Sequence, residues 1–287
     1  LFGYQPGGGT LQRILAHAYA SLELIERAIK GAIRASPVGH GDETSIRVEG
    51  QTKWLHVVST LAYTYYYWSQ YRGQKGHLAD GLLPSYTGIL MHDAYSSYFG
   101  HAYEHALCNA HLLRELQAIY ETDPSQRWAW QLRRLLRLAW HLVKSAKKTG
   151  QTQLPADQRD RLLALFDQVL DRADQLVPRN HRQPGQRGRV AQSVPRNLID
   201  RIIEHQAAYL RFVTDFRVPF DNNLAERDLR MSKLQQKISG CFRTETGADL
   251  FCRIRGYIST LRKQGHDLLP ALFSLWTDTP FMPSPAE

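Results

Sequence analysis

The chain has 287 residues, 43% of them apolar, and a formal net charge of +9. That apolar share is enough for a real core and excludes wholesale disorder. No run approaches the roughly 18 apolar residues that span a bilayer, and no secretory signal opens the chain. The balance of 36 Lys and Arg against 27 Asp and Glu points to a polyanionic partner. Nucleic acid is the default, although a basic surface without such a partner has the same composition. Three scattered cysteines, Cys108, Cys241 and Cys252, are too few for a disulfide framework and suit a reducing cytoplasm. The sequence begins at Leu1 rather than Met, so an upstream region is expected to be missing.

Gly7-Gly8-Gly9 is a loop, after which Thr10 can cap a helix. Residues 11–35 carry Leu, Ile and Ala at helical spacing and predict one long amphipathic helix, stopped by Ser36-Pro37. The texture then changes to three short β-rich runs, 40–48, 53–60 and 62–68, which predict an antiparallel meander. A short helix is expected near residues 77–82. The continuous apolar run 88–92 predicts a buried central strand with Asp93 at its exit, and 104–107 a further short strand. Residues 109–121, 126–148 and 158–176 then read as three long amphipathic helices. Residues 178–195, with Pro184-Gly185 and four arginines but no acid, predict an exposed basic loop. Further helices are expected over 197–211, from a cap at Asp221 or Asn222 to about Lys237, and over 248–263 and 267–276.

These elements imply an α/β fold class: a ribonuclease-H-like mixed sheet with flanking helices and a large all-helical insertion. The expected division is an N-terminal helical segment (1–37), a core in two pieces (38–108 and 214–265), the insertion with its basic loop (109–213), and a C-terminal helix and tail (266–287). In such a core the first and fourth strands lie side by side, so an acid on each would meet at one edge of the sheet.

Phosphodiester chemistry with divalent metals needs two or three carboxylates brought together on rigid elements. Asp42, within Gly41-Asp42-Glu43-Thr44, is either such a ligand or part of a solvated edge. Asp93 is placed where α/β ligand sites tend to lie, or else caps a helix from Ala94 onward. Glu226 falls in the first turns of a capped helix, where an acid also serves the helix dipole. Glu43, Asp80, Asp221 and Asp228 compete for the same roles.

At these segments the sequence resembles the transposases of the insertion sequence sixty-six family. The matching stretches are Asp42-Glu43-Thr44-Ser45-Ile46-Arg47-Val48, Trp54-Leu55-His56-Val57, Leu90-Met91-His92-Asp93 and Cys108-Asn109-Ala110-His111-Leu112-Leu113-Arg114-Glu115-Leu116. The most specific is Asp221-Asn222-Asn223-Leu224-Ala225-Glu226-Arg227-Asp228-Leu229-Arg230, continuing through Gln236-Lys237-Ile238-Ser239-Gly240 and Arg243. The resemblance spans roughly residues 8–264. It implies a DDE-type enzyme whose first, second and third acids are Asp42, Asp93 and Glu226, holding two Mg²⁺ ions, with Mn²⁺ able to replace them. The implied reaction is strand cleavage at transposon ends, then attack of the freed 3′-hydroxyl on target DNA. Ser45 stands where the family often has Gly. Relatives also carry an N-terminal DNA-binding segment, and often a cysteine-rich metal element, that this sequence does not contain.

The expected partners are transposon-end and target DNA, with the protein acting as a homo-oligomer on DNA and no membrane involved. Arg227, Arg230, Lys233 and Lys237 recur along one side of the third acid's helix, and Arg179, Arg182, Arg187 and Arg189 populate the basic loop. Both groups suit phosphate contacts that position DNA without reading sequence, or a plain solvated face. Cys108 and His111 have half of a zinc-site spacing, but a structural zinc needs about four ligands and zinc is not expected. His56 and His92 are placed either near the metals or, the simpler reading, as buried, hydrogen-bonded histidines. Two other functions remain open: a nuclease or resolvase on the same fold, and an inactive DNA-binding remnant.

Overall fold

The computed structural model describes residues 3, 6–182, 187–188, 190–277 and 280–284. The chain divides into two compact units, Leu1–Glu104 with Asn222–Glu287, and His105–Asp221. The first holds the sheet. It opens with α1 (Gly8–Ser21) and α2 (Glu23–Ala35), followed by the meander β1 (Val38–Val48), β2 (Gln51–Ser59) and β3 (Thr64–Ser69). Then come α3 (Gln74–Asp80) and β4 (Ile89–His92), and after the second unit α9 (Asn223–Ser239), α10 (Glu245–Lys263) and α11 (Leu268–Phe273). The single N-terminal helix expected from periodicity is two helices. Leu22 interrupts them, fully buried, while Leu11, Ile14 and Leu15 of α1 stay exposed. Helix α2 instead buries Ile25, Ile29 and Ile33, one residue per turn. Thr10 is not a cap, because the helix already starts at Gly8 behind Gly7.

The sheet order is β3-β2-β1-β4-β5, where β5 (Glu104–Leu107) carries the chain across the boundary between the units. Strands β1, β2 and β3 are antiparallel neighbours, and β4 lies parallel to β1 with Val38 beside Ile89 and His40 beside Met91. This mixed sheet with flanking helices is consistent with a ribonuclease-H-like core. Strand residues alternate between faces, and the two faces pack into separate clusters, to both of which α10 contributes. Ile46 and Val48 of β1, with Leu55 and Val57 of β2, pack with Ala225 and Leu229 of α9 and Ala248 and Cys252 of α10. Val58, Tyr65 and Tyr67 pack on the other face with α2, Leu82, Leu83 and Tyr98. A Cβ on Gly41 would stand 3.2 Å from Tyr98, so odd-numbered positions of β1 belong to that second face.

The second unit is helical: α4 (Asn109–Thr122), α5 (Arg127–Lys148), α6 (Ala156–Leu176), α7 (Val194–Glu204) and α8 (Gln206–Thr214). The expected helix over 197–211 is therefore two, meeting at His205. Trp128, Leu132, Leu136, Phe166, Ile199 and Phe212 are among its buried side chains. Arg196 is also buried there, held by Asp200 at 2.7 Å, Asp174 at 2.7 Å and the Val177 carbonyl at 2.9 Å. No helix among the described residues is long and apolar enough to cross a membrane.

Candidate active site

Asp42 lies on β1 opposite Val57 of β2. Its even parity directs it to the sheet face that carries α9, together with Ile46 and Val48. Glu43, one residue on, points to the opposite face. There its side chain is only 2% exposed, accepting from Tyr98 Oη at 2.6 Å and Arg72 Nε at 3.1 Å. Arg72 is in turn sandwiched between Tyr95 and Trp54, at 4.1 and 4.7 Å from the ring centres. Glu43 is therefore directed away from the face that carries Asp42.

Asp93 follows β4 directly. The backbone turns sharply there: Ala94 has φ 68°, rare for a residue with a Cβ. Two side chains stabilise the turn. Asp93 Oδ1 accepts from Tyr95 N at 3.0 Å, and His92 Nδ1 accepts from Ala94 N at 3.2 Å. Asp93 thus makes a local Asx turn and caps no helix. Strain of this kind concentrates at functional sites.

Glu226 occupies the first turn of α9, where its backbone N–H donates to the Asn222 carbonyl. Asn222 was expected to cap this helix with its side chain, and it does not. The amide is buried and turned toward β1. Its Nδ2 donates to the Gly41 carbonyl at 2.9 Å, and its Oδ1 lies 3.0 Å from His40 Nδ1. Since burial holds the His40 pKa down at about 4, that imidazole is neutral and Nδ1 carries the proton donated to Asn222. At its other end α9 is held by Gln236 donating to the Ser45 carbonyl at 2.6 Å. The helix bearing Glu226 is therefore tied at two points to the strand bearing Asp42. We predict that Asn222→Ala, which cuts the bond that sets α9 against β1, lowers turnover by roughly 10-fold or more. DNA affinity would be unchanged; an equal loss of affinity and turnover would contradict this positioning role.

The three acids meet electrostatically. The Asp42 carboxyl is raised to about 7, first by burial and then by the charges of Asp93, Glu43 and Glu226, against one stabilising bond from the Glu43 N–H. A buried carboxyl among carboxylates is costly, and such arrangements cluster at functional sites. Asp80 and Asp228 are held by structural bonds. Asp80 receives Lys30 Nζ at 2.8 Å and Tyr65 Oη at 2.6 Å. Asp228 receives Ser59 Oγ at 2.6 Å, Thr64 Oγ1 at 3.1 Å, Ser259 Oγ at 3.0 Å and Lys263 Nζ at 2.8 Å.

The family model for the transposase IS66 family matches residues 2–250. The chain belongs to that family. No curated protein matches it. Membership in a transposase family makes DNA its partner, and the surface of α9 agrees: Arg227, Arg230, Lys233 and Lys237 are all exposed. In the helical unit Arg179, Arg182 and Arg187 are exposed too, while Arg189 lies outside the described residues. Arg179 is not a free cation, because it pairs with Asp200 at 2.7 Å, and Arg182 donates to the Gly188 carbonyl. Asn180 and Gln192 exchange hydrogen bonds across the segment, so its ends are pinned to each other.

Cys108, Cys241 and Cys252 form no disulfide. Cys108 is buried at the N-cap position of α4, with His111 in that helix's first turn. Cys252 sits in the apolar layer between the sheet and α10, where burial pushes its thiol pKa well up. The pair His40 and Asn222 was not foreseeable from sequence. The available signal was an Asn-Asn step before α9, but its partner strand lies 181 residues away.

Proposed function

We propose that this chain is a DDE-type transposase in which Asp42, Asp93 and Glu226 are the catalytic carboxylates and hold two Mg²⁺ ions. The observation that carries the reading is that acids at the β4 exit and on α9 act electrostatically on Asp42 of β1, in a member of a transposase family. The donor set fits: oxygen ligands suit Mg²⁺ or Mn²⁺, and a dication would relieve the mutual repulsion that raises Asp42. When bound, two such ions would polarise the scissile phosphate and lower the pKa of the attacking hydroxyl. The protein's own share is placement. The Asx turn holds Asp93, the Asn222 bond to Gly41 sets α9 against β1, and the exposed cations of α9 offer phosphate contacts. The substrates are transposon ends and target DNA, acted on by a homo-oligomer in the bacterial cytoplasm at the nucleoid.

The test is metal-dependent nicking at an element's end, and joining of a pre-cleaved 3′-hydroxyl end to target DNA. Both are expected from the wild-type chain. Asp93→Asn should abolish both while DNA binding stays largely intact. Retained cleavage in that variant would remove Asp93 from the site. Nicking without joining would favour the nuclease or resolvase reading, and binding without either would indicate a DNA-binding remnant.

A further inference from the structure

On the sheet face opposite the three acids, β-register assembles a second set of metal-type ligands. Glu43 and His56 are direct cross-strand partners of β1 and β2, and His56 is the partner of Tyr67 on β3. Same-face neighbours of this kind stand close enough to share a ligand. Helix α3 closes over them and contributes His77. It can approach only because residue 76 is glycine: a Cβ there would stand 2.3 Å from the Tyr71 carbonyl oxygen and 2.8 Å from His56 Nε2. One ligand atom each from Glu43, His56 and His77 lies within 4.8 Å of the others. A tetrahedral zinc shell with bonds of about 2.0–2.2 Å needs its donors roughly 3.3 Å apart. Side-chain adjustments of about an ångström would close it.

The polar groups of this cluster are poorly satisfied without an ion. His56 is 1% exposed, and neither ring nitrogen makes a hydrogen bond of proper geometry. The Tyr71 carbonyl is near enough to favour a ring N–H, which leaves the other nitrogen its lone pair. His77 is fully buried and its Nε2 is unpartnered, while its Nδ1 lies 3.1 Å from His101 Nε2. A hydrogen bond to one ring nitrogen is how ligand histidines are oriented, presenting the other to the metal. Both imidazoles are neutral, as ligands must be: burial lowers His56 to about 4 and His77 to about 3. The Tyr67 hydroxyl, beside the cluster, is buried and unpartnered as well.

We propose that Glu43, His56 and His77 form a buried transition-metal site, suited to Zn²⁺, that clamps α3 to β1 and β2 behind the strand bearing Asp42. It is separate from the all-carboxylate set, and imidazole nitrogen is what distinguishes it: two histidines and one carboxylate select zinc over magnesium. Arg72 beside Glu43 opposes the dication, and the Glu43 carboxylate offsets that charge.

The experiment uses the full chain, stripped with chelator and kept in excess Mg²⁺ to occupy the carboxylates. Zn²⁺ is titrated by calorimetry and Co²⁺ by visible absorption. One equivalent of Zn²⁺ should bind and raise the melting temperature, and Co²⁺ should give the intense bands of a four-coordinate nitrogen-containing site. His77→Gln or Glu43→Gln should weaken Zn²⁺ binding about 100-fold, and His101→Ala, which removes the partner of His77 Nδ1, about 10-fold. Asp93→Asn should leave it unchanged. No binding by the wild-type chain overturns the site and assigns the cluster to buried water. An equal loss in Asp93→Asn also overturns it, since the ion would then sit at the carboxylates. Should His77→Gln not fold, the wild-type Co²⁺ spectrum decides alone, because the weak bands of an all-oxygen octahedral site contradict the proposal.

Discussion

Replacing Asp42 by Asn should abolish strand cleavage and, in metal-free buffer above pH 7, make the protein more stable. The activity loss is expected at roughly 10³-fold or more, the scale on which removing a catalytic group acts. The stability gain comes from linkage. Burial, and then the charges of Asp93, Glu43 and Glu226, push the folded carboxyl up to about 7 from its ordinary value of 3.8. A carboxyl raised on folding contributes no penalty while both states are protonated, near pH 3. Its penalty grows as pH climbs toward 7 and is complete above that. Asn keeps the acceptor oxygen for the Glu43 N–H, now 2.8 Å from Asp42 Oδ1, but carries no charge. The variant should therefore gain on the order of 2–4 kcal/mol at pH 8 and almost nothing near pH 4. Adding Mg²⁺ should stabilise the wild type more than the variant and narrow the gap. Urea titrations at the two pH values, with and without Mg²⁺, measure all of this. A metal-free variant that is less stable than wild type at pH 8 would mean that Asp42 is not held among like charges.

Asp228→Ala should show the contrary pattern, a severe loss of stability, although Asp228 stands only two residues from Glu226. Its carboxylate is 7% exposed and binds four side chains from β2, β3 and α10. Burial raises its pKa, but Lys263 and the hydroxyls of Ser59 and Ser259 outweigh that and hold it below the usual carboxylate range. Removing it leaves Lys263 buried with only the Thr60 and Tyr63 carbonyls. Breaking a buried ion pair from one side costs about 3–5 kcal/mol. For a carboxyl lowered on folding, the contribution is present above the unfolded pKa and lost as pH falls through the folded one. Wild type and variant should accordingly converge in acid. Glu226→Gln should instead lose cleavage with its unfolding midpoint nearly unchanged. A fully stable Asp228→Ala that lost only cleavage would move Asp228 into the active site.

The order of elements was legible because hydrophobic periodicity is local. The β-rich runs after Pro37, the apolar run ending at His92 and the long amphipathic helices each announce themselves within a dozen residues. The misreadings were also local in origin. Residues 11–35 carry one helical period, yet the chain breaks at Leu22, whose side chain is drawn into the core. Asn222 has the composition of a cap, but its amide is recruited by a strand nearly two hundred residues upstream. Neither event has a signature in neighbouring sequence, because each depends on what packs against it.

Sequence alone, then, determined the family, the alternation of strands and helices, and the presence of acids at the ends of apolar elements. Choosing among those acids was left to tertiary structure. Asp42 and Glu43 are adjacent and chemically alike, and a strand's period of two puts them on opposite faces whichever face is used. The pairing of β4 with β1 puts Asp93 near Asp42, and α9 on the even-numbered face of β1 adds Glu226, while Glu43 is left with His56 and His77. The same packing turns Asp228 inward to Lys263 while Glu226, half a turn earlier on α9, stays with the other acids. Carboxylates repel unless something holds them together, and what holds these is the sheet register and two hydrogen bonds from α9 to β1.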